Sequence, residues 1–508
     1  MIKNYLRTAT RNILRNKKIS IINIVGLSLS MSVCMLIIVI IQDQYSYDNF
    51  IEKRGELYRI QTIDNLSKYS FNKFASTNYP LAKELRDKYS YGSQIIALNN
   101  SFGGDAEYGD IKIPISGLYA EPGFFSMFSF NLVEGSAVNA LSEPWSIVLT
   151  RDVAERYFGS EEPLGKTLVI EGMGNFNVTG VVDMGKNKSH IQFESLVSSS
   201  TMESLQPGTA GRRMVTDWKD FNSSYIYIRL DDPSLVGTVE QALRKISEEK
   251  YADDEKTDVT FYLFPFNSIV PGPILGNELG MSMPRIYLLL FGGLGLVIIF
   301  SAAFNYTSLS IARSMTRVKE FGVRKTLGAS RREITLMIYS EAIIISVISM
   351  LVGIIILQFL LPAFKGMQMM SLLEIDPSQN ITVFAWFLLF AVFTGIVAGS
   401  LPAVYISRIT PVLVLQGSSS IKIFKRLTFR KILLVSQYFF SVVFIITVIL
   451  IFRQMNYMVK ADMGFDRAMV FNMRSRKMII NLWQTVSQGW RELFPLRGSP
   501  MFRGWQPP

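Results

Sequence analysis

Cysteine and histidine are almost missing from this sequence: 508 residues hold one of each, Cys34 and His190. A lone cysteine excludes an intrachain disulfide, and Cys34 sits mid-run among apolar residues, where it reads as a small filler. A lone histidine excludes a multi-histidine metal centre. A phosphate loop is missing too. Gly159-Ser-Glu-Glu-Pro-Leu-Gly165-Lys166-Thr167 comes nearest, with five residues between its glycines instead of four. Its two glutamates would repel the phosphates that backbone amides should cradle, so a turn into a strand at 167–170 is the better account. No catalytic residue, no metal and no cofactor is assigned to this chain.

Acidic residues are scarce wherever basic ones gather. Segments 1–18, 312–333 and 405–431 hold nineteen Lys and Arg against two acidic residues. The net charge of +11 therefore collects beside apolar runs, which is the positive-inside pattern of a membrane protein. It explains the basic balance without nucleic acid.

Long apolar runs are what the chain has in quantity, at 49% hydrophobic residues. Residues 19–41 carry no charge and are long enough to cross roughly 30 Å of hydrocarbon. Their apolar core is too long for a signal peptide and no A-x-A site follows, so the run reads as an anchor that stays. Further spans are expected at 286–311, 334–361, 381–406 and 432–452. Ahead of the first, residues 1–18 put Ile2, Tyr5, Leu6, Ala9, Ile13 and Leu14 on one helical face. Lys3, Arg7, Arg11 and Arg15 line another, which predicts an amphipathic helix lying on the lipid surface.

Between the first two spans, 42–285 is polar and strand-rich. Segments 146–150, 167–170, 176–182 and 225–230 alternate or are β-branched, with helical stretches at 81–88 and 236–250. An α/β domain of about 240 residues is expected, with room for two lobes. The fold class is thus a polytopic α-helical membrane protein, about five spans, with a large α/β extracytoplasmic domain between the first two. Two polar residues fall inside spans, Asn305 and Glu341. A proton relay through Glu341 would need a second ionisable group in a span; a helix–helix contact is the simpler reading.

The loop 312–333 is the most distinctive stretch. Met315, Val318, Phe321 and Gly322 recur at helical spacing, Gly328 is placed to end a helix, and Ser330 with Glu333 spells a capping box for the next one. A solvated positive loop is one reading. A short, capped, rigid helix that docks a partner is the other, and the embedded caps favour it.

The run EFGVRKTLGASRREI resembles the cytoplasmic loop of ABC transporter permeases of the MacB/FtsX/LolC type. YRIQT at 58–62, EPGFFSMFSFNLVEG at 121–135, SIVLTRDVAERYFG at 146–159, SHIQFESLVSS at 189–199 and LPAVYISRITPVLVL at 401–415 resemble other parts of that family. The resemblance implies a MacB-like periplasmic core domain at 42–285 and a permease subunit without catalysis of its own. It implies that Arg317, Lys319, Glu320, Phe321, Gly322, Arg324, Lys325, Leu327 and Gly328 couple to a separate ABC ATPase, which holds the ATP and Mg. A second permease copy or homologue, a periplasmic adaptor or outer-membrane component, and membrane lipids are the further partners implied. Location in a bacterial inner membrane with Met1 cytoplasmic follows, for export or extraction of a peptide, lipoprotein or antimicrobial. A signalling regulator of a periplasmic partner is the alternative. A cytoplasmic linker at 407–431 and the run 432–452 read as the start of a second copy of the first half. Residues 453–508 read as a truncated periplasmic tail, which leaves an inactive product as a further possibility.

Overall fold

The computed structural model describes residues 2–66, 72–89, 94–185, 187–206, 209–252, 257–280, 282–316, 318–366, 382–407 and 427–460. The linker 408–426 and the tail 461–508 lie outside them.

Helix α1 (Ile2–Arg15) precedes α2 (Lys17–Ser46). The long helices that follow the inserted domain are α9 (Arg285–Thr316), α11 (Arg331–Lys365), α12 (Thr382–Ser407) and α13 (Leu427–Lys460), with the short α10 (Val318–Thr326) between α9 and α11. Among the described residues, five helices are long and apolar enough to cross a membrane: α2, α9, α11, α12 and α13. A second compact unit begins at Val435 and takes in most of α13.

Helices α2, α9, α11 and α12 share one apolar core built from Leu27, Met31, Met35, Ile299, Ala303, Ile345, Met350, Phe387 and Ala391. In lipid there is little hydrophobic drive between helices, so small residues and buried hydrogen bonds hold them. A Cβ on Gly395 of α12 would meet Ile343 Cα of α11 at 2.7 Å, and one on Gly353 of α11 would meet Ser28 O of α2 at 3.2 Å. Ser346 donates to Ala391 O at 2.7 Å and Thr307 donates to Ala398 O at 2.9 Å.

One face of the first helix meets the bundle. α1 packs along α11, Ile13 is buried in the common core, and Asn12 donates to the Glu341 carboxylate. An amphipathic stripe is the same whether lipid or a neighbouring helix covers it, so the sequence could not separate the two.

The inserted domain contributes β1 (Leu57–Asp64), β2 (Lys73–Phe74), α3 (Pro80–Lys88), β3 (Ile95–Tyr108), β4 (Ile111–Ala120), α4 (Phe124–Phe128), β5 (Leu132–Gly135), β6 (Ser146–Thr150), α5 (Arg151–Phe158), β7 (Thr167–Ile170), β8 (Gly174–Val182), β9 (Ser195–Ser198), α6 (Ser200–Ser204), α7 (Ala210–Met214), β10 (Ser224–Arg229), α8 (Leu235–Tyr251) and β11 (Val259–Pro265). The strands form one sheet in the order β11-β1-β10-β3-β4-β9-β6-β8-β5, with β2 on β1 and β7 bridging β3 and β8. Two lobes therefore share a single sheet. What makes this continuous is the long β3, whose start pairs with β10 and whose end pairs with β7. Helix α8 covers the β1–β11 end through Val239, Leu243 and Ile246, and α5 covers the other end through Val153, Tyr157 and Phe158. The phosphate-loop lookalike is a turn: Gly159 and Gly165 have φ of 61° and 75°, and Lys166 pairs with Glu161 beside the Tyr108 and Phe158 rings.

Candidate functional site

The short helix α10 owes its limits to the residues around it. Gly328, at φ 94°, takes the left-handed conformation that closes it, and its N–H returns to Lys325 O at 3.1 Å. Ser330 then caps α11: its Oγ accepts from Glu333 N at 3.2 Å, and Glu333 Oε2 accepts from Ser330 N at 2.8 Å. Ser330→Ala should cost about 1 kcal/mol, seen as faster hydrogen exchange in the first turn of α11 with the rest of the helix unchanged.

One face of α10 is fixed to the bundle. Phe321 is 2% exposed and packs with Ile334, Met337 and Ile338 of α11 and with Ala403 and Ile406 of α12. Gly322 beside it is buried. Lys325 Nζ donates to Ser407 O at the end of α12 at 2.7 Å, a cation on the negative end of a helix. Burial, with Arg331 nearby, pulls the Lys325 pKa down. Arg324 bonds Glu320 at 2.9 Å one turn back and lies 3.1 Å from Met337 Sδ. The Glu320–Arg324 pair is too exposed to contribute much.

The coupling residues therefore divide by face. Phe321, one of the coupling residues implied by the resemblance, is buried against the chain's own spans, because helix–helix contact at the loop's base claims its ring first. Among the described side chains of α10, the apolar residues left outside are Val323 and Leu327, four apart on one face, at 54% and 82% exposure. Val323 was not singled out by sequence; its spacing from Leu327 was the available signal. Arg317 lies outside the described residues, as does the side chain of Lys319.

Of the two polar residues within spans, Glu341 meets Asn12 of α1, which is a helix–helix contact. Asn305 is exposed on α9, facing Gly26 of α2, where an added Cβ would lie 3.8 Å from its Nδ2. Sequence reasoning missed the polar cluster at the head of α2. There Asp48 accepts from Ser189 Oγ at 2.6 Å and faces His190 Nδ1 at 2.7 Å. This is no nucleophile triad: serine and histidine share one carboxylate, and His190 Nε2 faces Tyr227 Oη at 2.9 Å, all of it buried. No group of three His, Cys, Asp or Glu able to hold a metal occurs among the described residues.

Comparison with known proteins places these features together. The family described as the MacB-like periplasmic core domain matches residues 20–246, and the FtsX-like permease C-terminal family matches 292–411. The macrolide export ATP-binding/permease protein MacB of Wolinella succinogenes is 23% identical over 280 residues, covering 53% of this chain and 38% of that protein. The uncharacterized ABC transporter permease YknZ of Bacillus subtilis is 24% identical over 282 residues, covering 52% of this chain and 60% of that protein. The matched part of the chain thus spans less than two thirds of these relatives' length. The crystal structure of the periplasmic region of MacB from Actinobacillus actinomycetemcomitans matches with TM-score 0.31 and 18% identity, over 43% of this chain and 92% of that one. With a periplasmic core family on the inserted domain and a permease family on the spans that hold α10, the chain belongs to the MacB/FtsX-type ABC transporter permeases, multi-pass membrane subunits with a large extracytoplasmic α/β domain.

Proposed function

We propose that this subunit passes the motion of an ATPase on a separate chain through α10 to the domain between its first two spans, for export or extraction of a peptide, lipoprotein or antimicrobial. One observation carries the reading. α10 is anchored to two spans at once by Phe321 and Lys325 while Val323 and Leu327 face outward, so a push on its outer face moves α11 and α12 with it. The other coupling residues support this: Gly328 and the Ser330–Glu333 box fix the angle at which the lever meets α11. Catalysis is left to the ATPase, which carries the ATP and Mg; a second permease copy and a periplasmic adaptor or outer-membrane component complete the assembly.

In this reading α1 and α10 are cytoplasmic, in a bacterial inner membrane, as the nineteen cationic residues of the three basic segments favour. A cysteine placed at Val138 should be labelled from outside intact cells, and one at Ser330 only after permeabilisation. Labelling of Ser330 in intact spheroplasts would invert the layout. For the docking face, Val323→Asp with Leu327→Asp should reduce co-purification of the ATPase about thirtyfold, the effect of losing a central apolar anchor, with membrane insertion unchanged. Undiminished ATPase recovery would sink the docking reading.

A further inference from the structure

The domain joins the bundle through two connectors, residues 43–51 at the head of α2 and residues 266–284 entering α9. Both bear on one short segment, residues 188–192, which lies between β8 and β9. On the first connector Asp48, at φ 59°, donates its N–H to Lys188 O at 2.7 Å. Its carboxylate accepts from Ser189 Oγ at 2.6 Å and His190 N at 3.3 Å, and faces His190 Nδ1 at 2.7 Å. Lys188 also pairs with Asp43. Three consecutive residues thus grip the head of the first span.

The second connector meets the same residues from its two ends. Phe266 packs edge-on to the His190 ring at 5.0 Å. Gly280 lies so close that an added Cβ would meet His190 O at 2.4 Å and the Gln192 side chain at 3.2 Å. Only glycine permits that approach. Glu278, two residues earlier, takes both ends of the Arg59 guanidinium at 2.9 and 3.1 Å, which fastens this connector to β1. Ile191 is buried in one core with Tyr47 and Ile51 of the first connector and Ile269 and Val270 of the second. Asp48, Ser189 and His190 are buried too, so a broken bond there leaves a polar group without water to replace it. A close-packed interior of this kind passes a displacement on instead of absorbing it. Its recipients are β8 and β9, which both pair with β6.

We infer that residues 188–192 are a shared seat for the two membrane connectors, so that a shift at the head of either span is felt at the other and enters the domain through β8 and β9. The inference rests on the reading that motion passes from the spans to this domain, and it names the point of entry. Asp48, Ser189, His190 and Gly280 are positioning residues: they act by holding the joint. The rival arrangement couples the connectors directly, through Gln44 Oε1, which accepts from Met283 N at 2.7 Å.

Amide hydrogen exchange of the full chain in detergent micelles, read by mass spectrometry, tests the seat from both sides. Asp48→Asn keeps shape, tolerates the left-handed backbone and weakens the grip on the first connector. It should raise exchange in 272–284, on the other connector, about tenfold. Gly280→Ala, which pushes on His190 from the second connector, should raise exchange in 43–51 by a similar factor. Exchange in β3 and α8 should stay unchanged in both. Effects confined to the mutated connector and to 187–192 would overturn the shared seat, since a merely local role moves nothing across it. The same pair in a Gln44→Leu background excludes the rival: the cross-effects should persist, and their disappearance would mean that the connectors communicate directly and the seat is not shared. Should Gly280→Ala fail to fold, Phe266→Leu takes its place, with the same two outcomes. The exchange is read without any ATPase, so its failure removes the seat alone, whereas undiminished ATPase binding by the α10 double variant removes the docking reading alone.

Discussion

Phe321→Ala should release α10 from the bundle at a cost of about 3–5 kcal/mol, the range for emptying a well-packed aromatic site. The ring is buried among Ile334, Met337, Ile338, Ala403 and Ile406, the apolar cluster that seats the helix. The Glu320–Arg324 pair is too exposed to take up much of the loss. The expected result is local. Amide exchange across 318–326 should rise toward that of an unprotected segment, while exchange in the middle of α11 and α12 stays as it was. Global loss of the membrane core, or no change in α10, would show that the cluster is not what seats it. The variant also parts anchoring from docking: its Val323 and Leu327 remain, so ATPase capture should survive better than transmission of force.

The second large effect is expected in the domain. Glu278→Ala leaves the Arg59 guanidinium buried with its main counter-charge gone, which should cost about 3–5 kcal/mol of domain stability. Burial alone would lower the Arg59 pKa; Glu278 and Tyr227 outweigh it and hold the value up. Replacing both partners by apolar residues, Arg59→Met with Glu278→Leu, should recover most of the loss, because the charge that needed compensation has left with its partner. Denaturant unfolding of the full chain with far-ultraviolet detection reads both. A double variant as unstable as Glu278→Ala would mean that packing, and not the uncompensated charge, sets the cost.

Some of this protein was legible before any coordinates. Uncharged runs, the positive flanks and the β-branched or alternating strands at 146–150 and 167–170 are local signals, because hydrophobic pattern and charge are properties of neighbouring residues. The end of α10 at Gly328 and the Ser330–Glu333 cap are local for the same reason: each needs only residues within one turn. The tertiary structure decided what those signals face. The apolar stripe of 1–18 could serve lipid or helix; of its described residues Ile13 enters the common core and Leu14 stays 66% exposed. Phe321 and Leu327 look alike in a basic loop, yet one is buried and the other 82% exposed, since only the approach of α11 and α12 defines an inside. The polar cluster at the head of the first span joins residues 48, 189, 190 and 227. No spacing rule reaches that far along a chain; only the folded domain brings these residues together.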